Sequence, residues 1–258
     1  MESILPFSVP ELTSLKHSPD TLYFRGNAEL LKRPKISIIG TRHPNQYTRS
    51  VTYELAKKLA QSGMVIVSGA AIGVDTIAHH GAGAQNTIAV LPCGIDIRYP
   101  VINRDLICAI EQRGLTISQF ECGFKAREWS FVVRNEIVVA LGDILIVTEA
   151  DIGSGSMSSV EYALAMGKNI YVLPHRLHES AATRKLVAEG KANVIDDVDL
   201  FVERVSERGK QSIEDSPFIA YCRFNPTYED VMIHYPNDIF EAELGGLVEV
   251  RNGRVCVV

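Results

Sequence analysis

The chain has 258 residues, 46% hydrophobic and 22% charged, and carries a formal net charge of -5. That length suits one α/β domain of roughly 170–210 residues plus a small appendage, with the composition of an ordinary globular protein. The acidic balance excludes a histone-like polycation but leaves room for a local basic cleft.

Five cysteines (Cys93, Cys108, Cys122, Cys222 and Cys256) form no C-x-x-C pair. An odd, scattered set argues against a disulfide framework or a zinc site and for a reducing compartment, so a cytoplasmic protein is expected. Met1–Pro10 has neither the basic start nor the apolar run of a signal peptide. The longest apolar stretch, Ile137–Val147, is broken by Gly142 and Asp143. It falls short of the roughly 18–20 residues of a membrane span, and no membrane insertion is expected.

Residues 1–34 show no strong period and read as a short N-terminal extension packed on the main domain. From residue 35 strands and helices alternate. Ile36–Ile39 is a β-branched run ending at Gly40, and Arg49–Gln61 follows with helical spacing. Met64–Val67 is a strand, Gly73–Ala82 a helix, Thr87–Leu91 a strand and Asn103–Gln112 a helix. Leu115–Ile117 is the fourth strand. Asn135–Leu141 has helical spacing, although its Ile-Val-Val run also suits a strand. Ile144–Val147, Ser156–Met166, Ile170–Leu173 and Ala181–Glu189 continue the alternation. This pattern predicts a Rossmann-like, doubly wound, mostly parallel sheet over residues 35–206.

Residues 207–216 are polar and read as a linker. In residues 217–258, Tyr228–His234 and Asp238–Leu244 are candidate helices, and Asn252-Gly253 between alternating strands signals a type I′ hairpin. Together these suggest a small winged-helix-like module. It carries six acids, three arginines and no lysine. That balance favours a structural or protein-contact role over DNA binding.

In an open parallel sheet, ligands bind above the carboxyl ends of the strands. The first parallel strand delivers Gly40, Thr41 and Arg42 there, the second Ser68 and Gly69. The strand Ile144–Val147 leads to Glu149 and then to Ser154, Gly155 and Ser156, which open a helix. Small residues admit a close ligand, bare N–H groups at a helix start attract anions, and an arginine supplies a forked phosphate ligand. The familiar anion users are absent. The first turn lacks G-x-G-x-x-G, and no G-x-x-x-x-G-K-[ST] occurs anywhere. No metal-ligand spacing is present; His79-His80 and His175/His178 are the only clustered histidines. No cofactor, metal or catalytic residue is therefore assigned.

A phosphate site without a cofactor fingerprint suits a polymer backbone. The segment 127–135 adds Arg127, Arg134 and Asn135, with Trp129 and Phe131 as candidate stacking platforms. Either aromatic equally suits a core role closing a loop.

Seven pieces in this order resemble the DprA/Smf family. They are Ile39-Gly-Thr-Arg42; Ser68-Gly-Ala-Ala-Ile-Gly-Val-Asp75 with Ala78-His79; Thr87-Ile-Ala-Val-Leu91 with Tyr99-Pro100 and Asn103; Phe131-x-x-Arg134-Asn135; Glu149-Ala150; Ser154-Gly-Ser156; and Val172-x-Pro174. The resemblance implies a non-enzymatic protein that binds single-stranded DNA entering the cell during natural transformation. It would protect that DNA, load the RecA recombinase and act as a homodimer. It further implies a phosphate pocket of Gly40, Thr41, Arg42, Ser68, Gly69 and Ser154–Ser156, flanked by Arg127, Phe131, Arg134 and Asn135. The sequence departs from the family at Val132, Glu136, His175 and Ser180-Ala-Ala-Thr-Arg184. Two other readings stay open. One is a nucleotide phosphoribohydrolase-type enzyme using Glu161, whose P-G-G-x-G-T-x-x-E pattern is only partly matched by Gly153–Glu161. The other is a scaffold acting through a partner surface.

Overall fold

The structure is a computed structural model. It describes residues 3–13, 15, 18–214, 217–244, 246–251 and 253–257, with residues 208–214 described in backbone only. The chain divides into two compact units, Met1–Val202 and Glu203–Val258.

The first unit begins with β1 (Ser3–Ile4), α1 (Pro10–Thr13) and β2 (Tyr23–Gly26). Then β3 (Lys35–Ile39), α2 (Gln46–Gln61), β4 (Val65–Ser68), α3 (Val74–Ala82), β5 (Thr87–Val90), α4 (Arg104–Arg113) and β6 (Leu115–Ser118) alternate. They are followed by α5 (Glu128–Leu141), β7 (Ile144–Val147), α6 (Ser156–Ala165), β8 (Ile170–Val172), α7 (Ala181–Ala188) and β9 (Asn193–Val194). One sheet runs β1-β2-β6-β5-β4-β3-β7-β8-β9. Strands β3 to β9 pair in parallel, while β2 joins β6 antiparallel and β1 joins β2 antiparallel.

Every residue of β4, β5, β6 and β7 is buried. This is what a parallel sheet covered on both faces demands, and it is why β7 reads as an unbroken apolar run, while the Ser and Thr residues of β4, β5 and β6 are buried as well. Val65, Val67, Ile88 and Val90 share a core with Val138 and Leu141 of α5. Ala89 and Leu91, facing the other way, share a second core with Ile107 and Ile110 of α4. The Rossmann-like, mostly parallel sheet expected from the alternation is thus present, in a mixed form.

The N-terminal residues differ from the extension expected for 1–34. Tyr23 to Gly26 pair with Ser118 to Leu115 and extend the sheet itself. Gly26 has φ +101, and a Cβ there would sit 2.1 Å from the Gly114 carbonyl oxygen, so this close crossing requires glycine. Lys35, at the start of the central strand β3, is a buried charge that needs partners: its side chain is 4% exposed, and its ammonium bonds the carbonyls of Leu31 (2.6 Å) and Arg33 (3.1 Å) and pairs with Glu11 (2.7 Å).

The polar stretch 207–216 is not an irregular linker throughout. Helix α8 (Val198–Glu214) runs through 207–214, and residues 215 and 216 lie outside the described residues. Polar composition alone does not separate a linker from a helix, since Glu, Arg, Lys and Gln all favour helices. The second unit then contains α9 (Pro217–Cys222), α10 (Tyr228–His234), α11 (Asp238–Leu244) and a hairpin of β10 (Val248–Arg251) and β11 (Arg254–Val257). Its core is Phe218, Ile219, Cys222, Val231, Ile239, Ala242, Val248 and Val255. Three helices followed by a hairpin is the element order a winged-helix-like module needs. Asn252 of the expected turn lies outside the described residues, and Gly253 has the positive φ, +74, that such a turn requires.

His79 is fully buried. Thr87 Oγ1 donates to the Ile66 carbonyl (2.7 Å), so it must accept from His79 Nδ1–H (2.6 Å). Burial, reinforced by the charges of His80 and Arg134, pushes its pKa from 6.5 down to about 3. The unfolded ring therefore takes a proton first. Its stabilising contribution is complete above about pH 6.5 and is lost as pH falls toward about 3. Urea midpoints measured from pH 7.5 to 4 are expected to fall less steeply in His79→Gln than in the wild-type chain.

Candidate functional site

Strand β3 is where the sheet order reverses, with β4 on one side and β7 on the other. The crevice above it is where a doubly wound sheet binds ligands. Gly40 leaves β3 in a space that admits no side chain: a Cβ would lie 2.7 Å from Val74 Cγ2 and 3.0 Å from the Glu149 carbonyl. The Thr41 N–H donates to the Glu149 carbonyl (2.8 Å), and the Thr41 carbonyl accepts from the Val74 N–H (3.1 Å). Gly73, with φ +85, passes so close that a Cβ would meet the carbonyls of Thr41 and Arg42 at 2.4 and 2.5 Å. These contacts fix the turn from both sides and leave Arg42 exposed on top of it.

Beneath Arg42 lies a pocket of about 80 Å³. Of the residues expected to act here, Arg42, Gly69, Phe131 and Arg134 line it. The Phe131 ring stands 6.0 Å from the Arg42 guanidinium carbon and edge-on to Tyr99 at 5.8 Å. The cation–aromatic distance is within interaction range. Tyr99 and Pro100 complete that wall, and Ala71, Ile72 and Pro92 the remainder.

Arg134 occupies a different role from a free phosphate ligand. It is 4% exposed. Its Nη1 donates to the carbonyls of Gly69 and Val90, and its Nε to Asn135 Oδ1 (3.1 Å). It thus ties together the turns after β4 and β5 from within α5. Gly69 is glycine because a Cβ would fall 1.8 Å from Nη1. Asp75, also buried, accepts from the N–H groups of Gly69 (3.1 Å) and Ala71 (3.3 Å). Burial raises its pKa, while the charge of Arg134 and these donors lower it. Burial likewise depresses the Arg134 pKa against the opposing pull of Asp75.

The other expected residues are distributed around this centre. Ser68 is buried, and its hydroxyl donates to the Ile38 carbonyl (2.7 Å), which turns it into the sheet. Gly40 and Thr41 shape the turn without lining the pocket, and the Thr41 hydroxyl accepts from the His43 N–H (3.3 Å). Ser154 and Gly155 precede α6 and Ser156 opens it, away from the pocket wall. Asn135 reaches Ser158 Oγ at 3.4 Å. Arg127 is exposed, 6.0 Å over the Phe124 ring. Trp129 is half exposed, edge-on to Phe120 and Phe124 in a small aromatic cluster. Glu161 lies exposed on α6 and lines no pocket described here. Tyr99 and Ile72 stand in the family-like pieces without a site role, and Pro92 stands in none of them; loops after three different strands converge here to bring them together.

The fold and site define a Rossmann-like α/β protein with a charged, aromatic-walled crevice and no dinucleotide fingerprint. The family model described as DNA recombination-mediator protein A matches residues 6–206, and the chain belongs to that family. The DNA processing protein DprA of Streptococcus pneumoniae is 32% identical over 206 residues, covering 78% of this chain and 73% of the relative. Among solved structures, DNA processing protein A from Helicobacter pylori, described for its single-stranded DNA binding mode, is similar at 41% identity. It superposes with a TM-score of 0.79 over 81% of this chain and 97% of that one. The S. pneumoniae DprA structure gives 31% identity and a TM-score of 0.69, over 73% of this chain and 68% of that one.

Gly69→Ala is expected to evict the Arg134 guanidinium, leaving a buried charge without its carbonyl partners. The cost is about 3 kcal/mol or more, read as a lower urea midpoint. Gly155→Ala, where a Cβ meets nothing within 4 Å, should stay within about 0.5 kcal/mol of wild type.

Proposed function

We propose that this chain binds single-stranded DNA along the carboxyl edge of its sheet, by stoichiometric binding rather than catalysis. The observation that carries the reading is the exposed Arg42 held beside Phe131 over a pocket floored by Gly69 and Arg134. Arg42 supplies a forked donor to one phosphate. Phe131 and Tyr99 offer ring faces to the bases, a combination that grips a strand whatever its sequence. Arg134 contributes by holding the pocket's shape and adding buried positive charge beneath it. The loop Ser154–Ser156 and exposed Arg127 extend the track on either side, and the helix start at Ser156 favours a second phosphate.

In this reading the protein shields incoming DNA in the cytoplasm and passes it to the RecA recombinase. A homodimer would present two such clefts to one strand, lengthening the bound stretch by avidity. The C-terminal module, with six acids against three arginines, serves protein contact rather than the DNA.

The test is fluorescence anisotropy with labelled dT35 and a duplex control across a salt series. Arg42→Ala should weaken single-strand binding, and the log–log salt slope should become shallower by about 0.7 for the lost phosphate contact. Equal affinity and slope in the variant would refute the assignment.

A further inference from the structure

A second and larger cavity, about 550 Å³, opens on the same sheet edge. Its walls are the start of α2, at Asn45 to Tyr47, and the loop after β8, at Pro174 to Arg176 with Glu179. None of these residues lines the pocket under Arg42.

The His175 side chain is fully buried on this wall. Its Nε2 lies 2.7 Å from the Thr148 carbonyl oxygen. A carbonyl only accepts, so Nε2 carries the hydrogen, and in the neutral ring Nδ1 is a bare acceptor. Nδ1 has no hydrogen-bond partner. The group facing it is Glu179, whose carboxylate oxygen stands 4.0 Å away and also only accepts. Two acceptors at that separation cannot satisfy each other. One –NH₂ group can satisfy both, donating a hydrogen to each at ordinary length. Nδ1 is buried as it stands, so entry of such a donor requires the 43% exposed Glu179 side chain to turn aside and close back onto it.

The rest of the cavity asks for the opposite kind of atom. Gln46 and Tyr47 occupy the first helical positions of the 16-residue α2, where backbone N–H groups have no acceptor within the helix. Arg176 adds an exposed guanidinium. Tyr47 packs edge-on against His175 at 5.8 Å, and with Pro174 it gives the cavity an apolar, planar-ligand wall. The ligand is therefore flat, carries an amino group, and holds acceptors beside it.

We propose that this cavity is a base pocket for nucleobases bearing an exocyclic amino group, with the amine bridging His175 Nδ1 and Glu179. This deepens the single-strand reading and rests on it. A base with a carbonyl in that position, as in uracil or thymine, sets a third acceptor against the other two. The pocket thereby gives an otherwise sequence-tolerant track a compositional preference.

At this edge cytosine presents an amine beside a bare N3 where uracil presents a carbonyl beside N3–H, so dC35 and dU35 are the probes. Wild-type protein should bind dC35 about tenfold more tightly than dU35, the scale of one polar group left unpaired. Glu179→Ala should erase that ratio. Equal affinities in the wild type, or a ratio that survives in Glu179→Ala, overturn the proposal. A second arm titrates CMP and UMP by calorimetry and separates free nucleotide from strand as the source. Binding of neither oligonucleotide sinks the single-strand reading itself. In that case selective CMP binding, lost in Glu179→Ala, upholds the pocket, and no binding of CMP removes it.

Discussion

The buried guanidinium of Arg134 is the constraint around which the sheet edge is built. A charge taken out of water must find several oriented partners or the fold is penalised heavily. Here those partners are main-chain carbonyls at the ends of two strands, Gly69 and Val90, with Asn135 steering Nε. The consequence is geometric. The turns after β4 and β5 cannot move independently of α5, and Gly69 must lack a side chain. Asp75 draws the same turn down from α3. The crevice over β3 is thus shaped by interior electrostatics, and the exposed Arg42 is positioned on a floor that does not yield.

Two cavities flank the turn that follows β3, one beneath Arg42 and one beside His175. They share the same supporting contacts, since Glu149 bonds Thr41 through its carbonyl and the Asn45 N–H through its carboxylate (3.1 Å). One cavity offers cation and ring faces, the other a mixed set of donors and acceptors. A polymer crossing the edge would meet a phosphate grip and a base-reading cavity in succession. That division of labour is the one expected where backbone contacts position a nucleic acid and base contacts discriminate.

The parallel strands and their helices were legible because short apolar or β-branched runs alternate with helical spacing, and Ile144–Val147 matches residue for residue, as do Tyr228–His234 and Asp238–Leu244 of the second unit. Strand β2 was not, because four residues with Arg25 among them and half-buried side chains carry little signal. The early part of α5 lay outside the helix expected from Asn135, since Trp129 and Val132 put large apolar side chains on its exposed side. Arg134 shows most clearly where one-dimensional reading stops. Its type and position suggested a solvent-facing phosphate ligand, yet Ser130, Arg134, Ile137 and Leu141 form a buried stripe at helical spacing. That period was available in the sequence and points inward; the chemical expectation attached to arginine overrode it. Tyr99 and Pro92 could not be assigned to the site, because only the folded sheet brings their loop beside Arg42.

Hydrogen–deuterium exchange with and without bound dT35 tests the central claim most directly, because it reads the contact surface without altering any side chain. The account predicts slowed exchange at residues 40–47, 69–72, 127–135 and 154–156, with 217–257 unchanged. Protection confined to 217–257, with the carboxyl edge of the sheet exchanging as in the free protein, would contradict it.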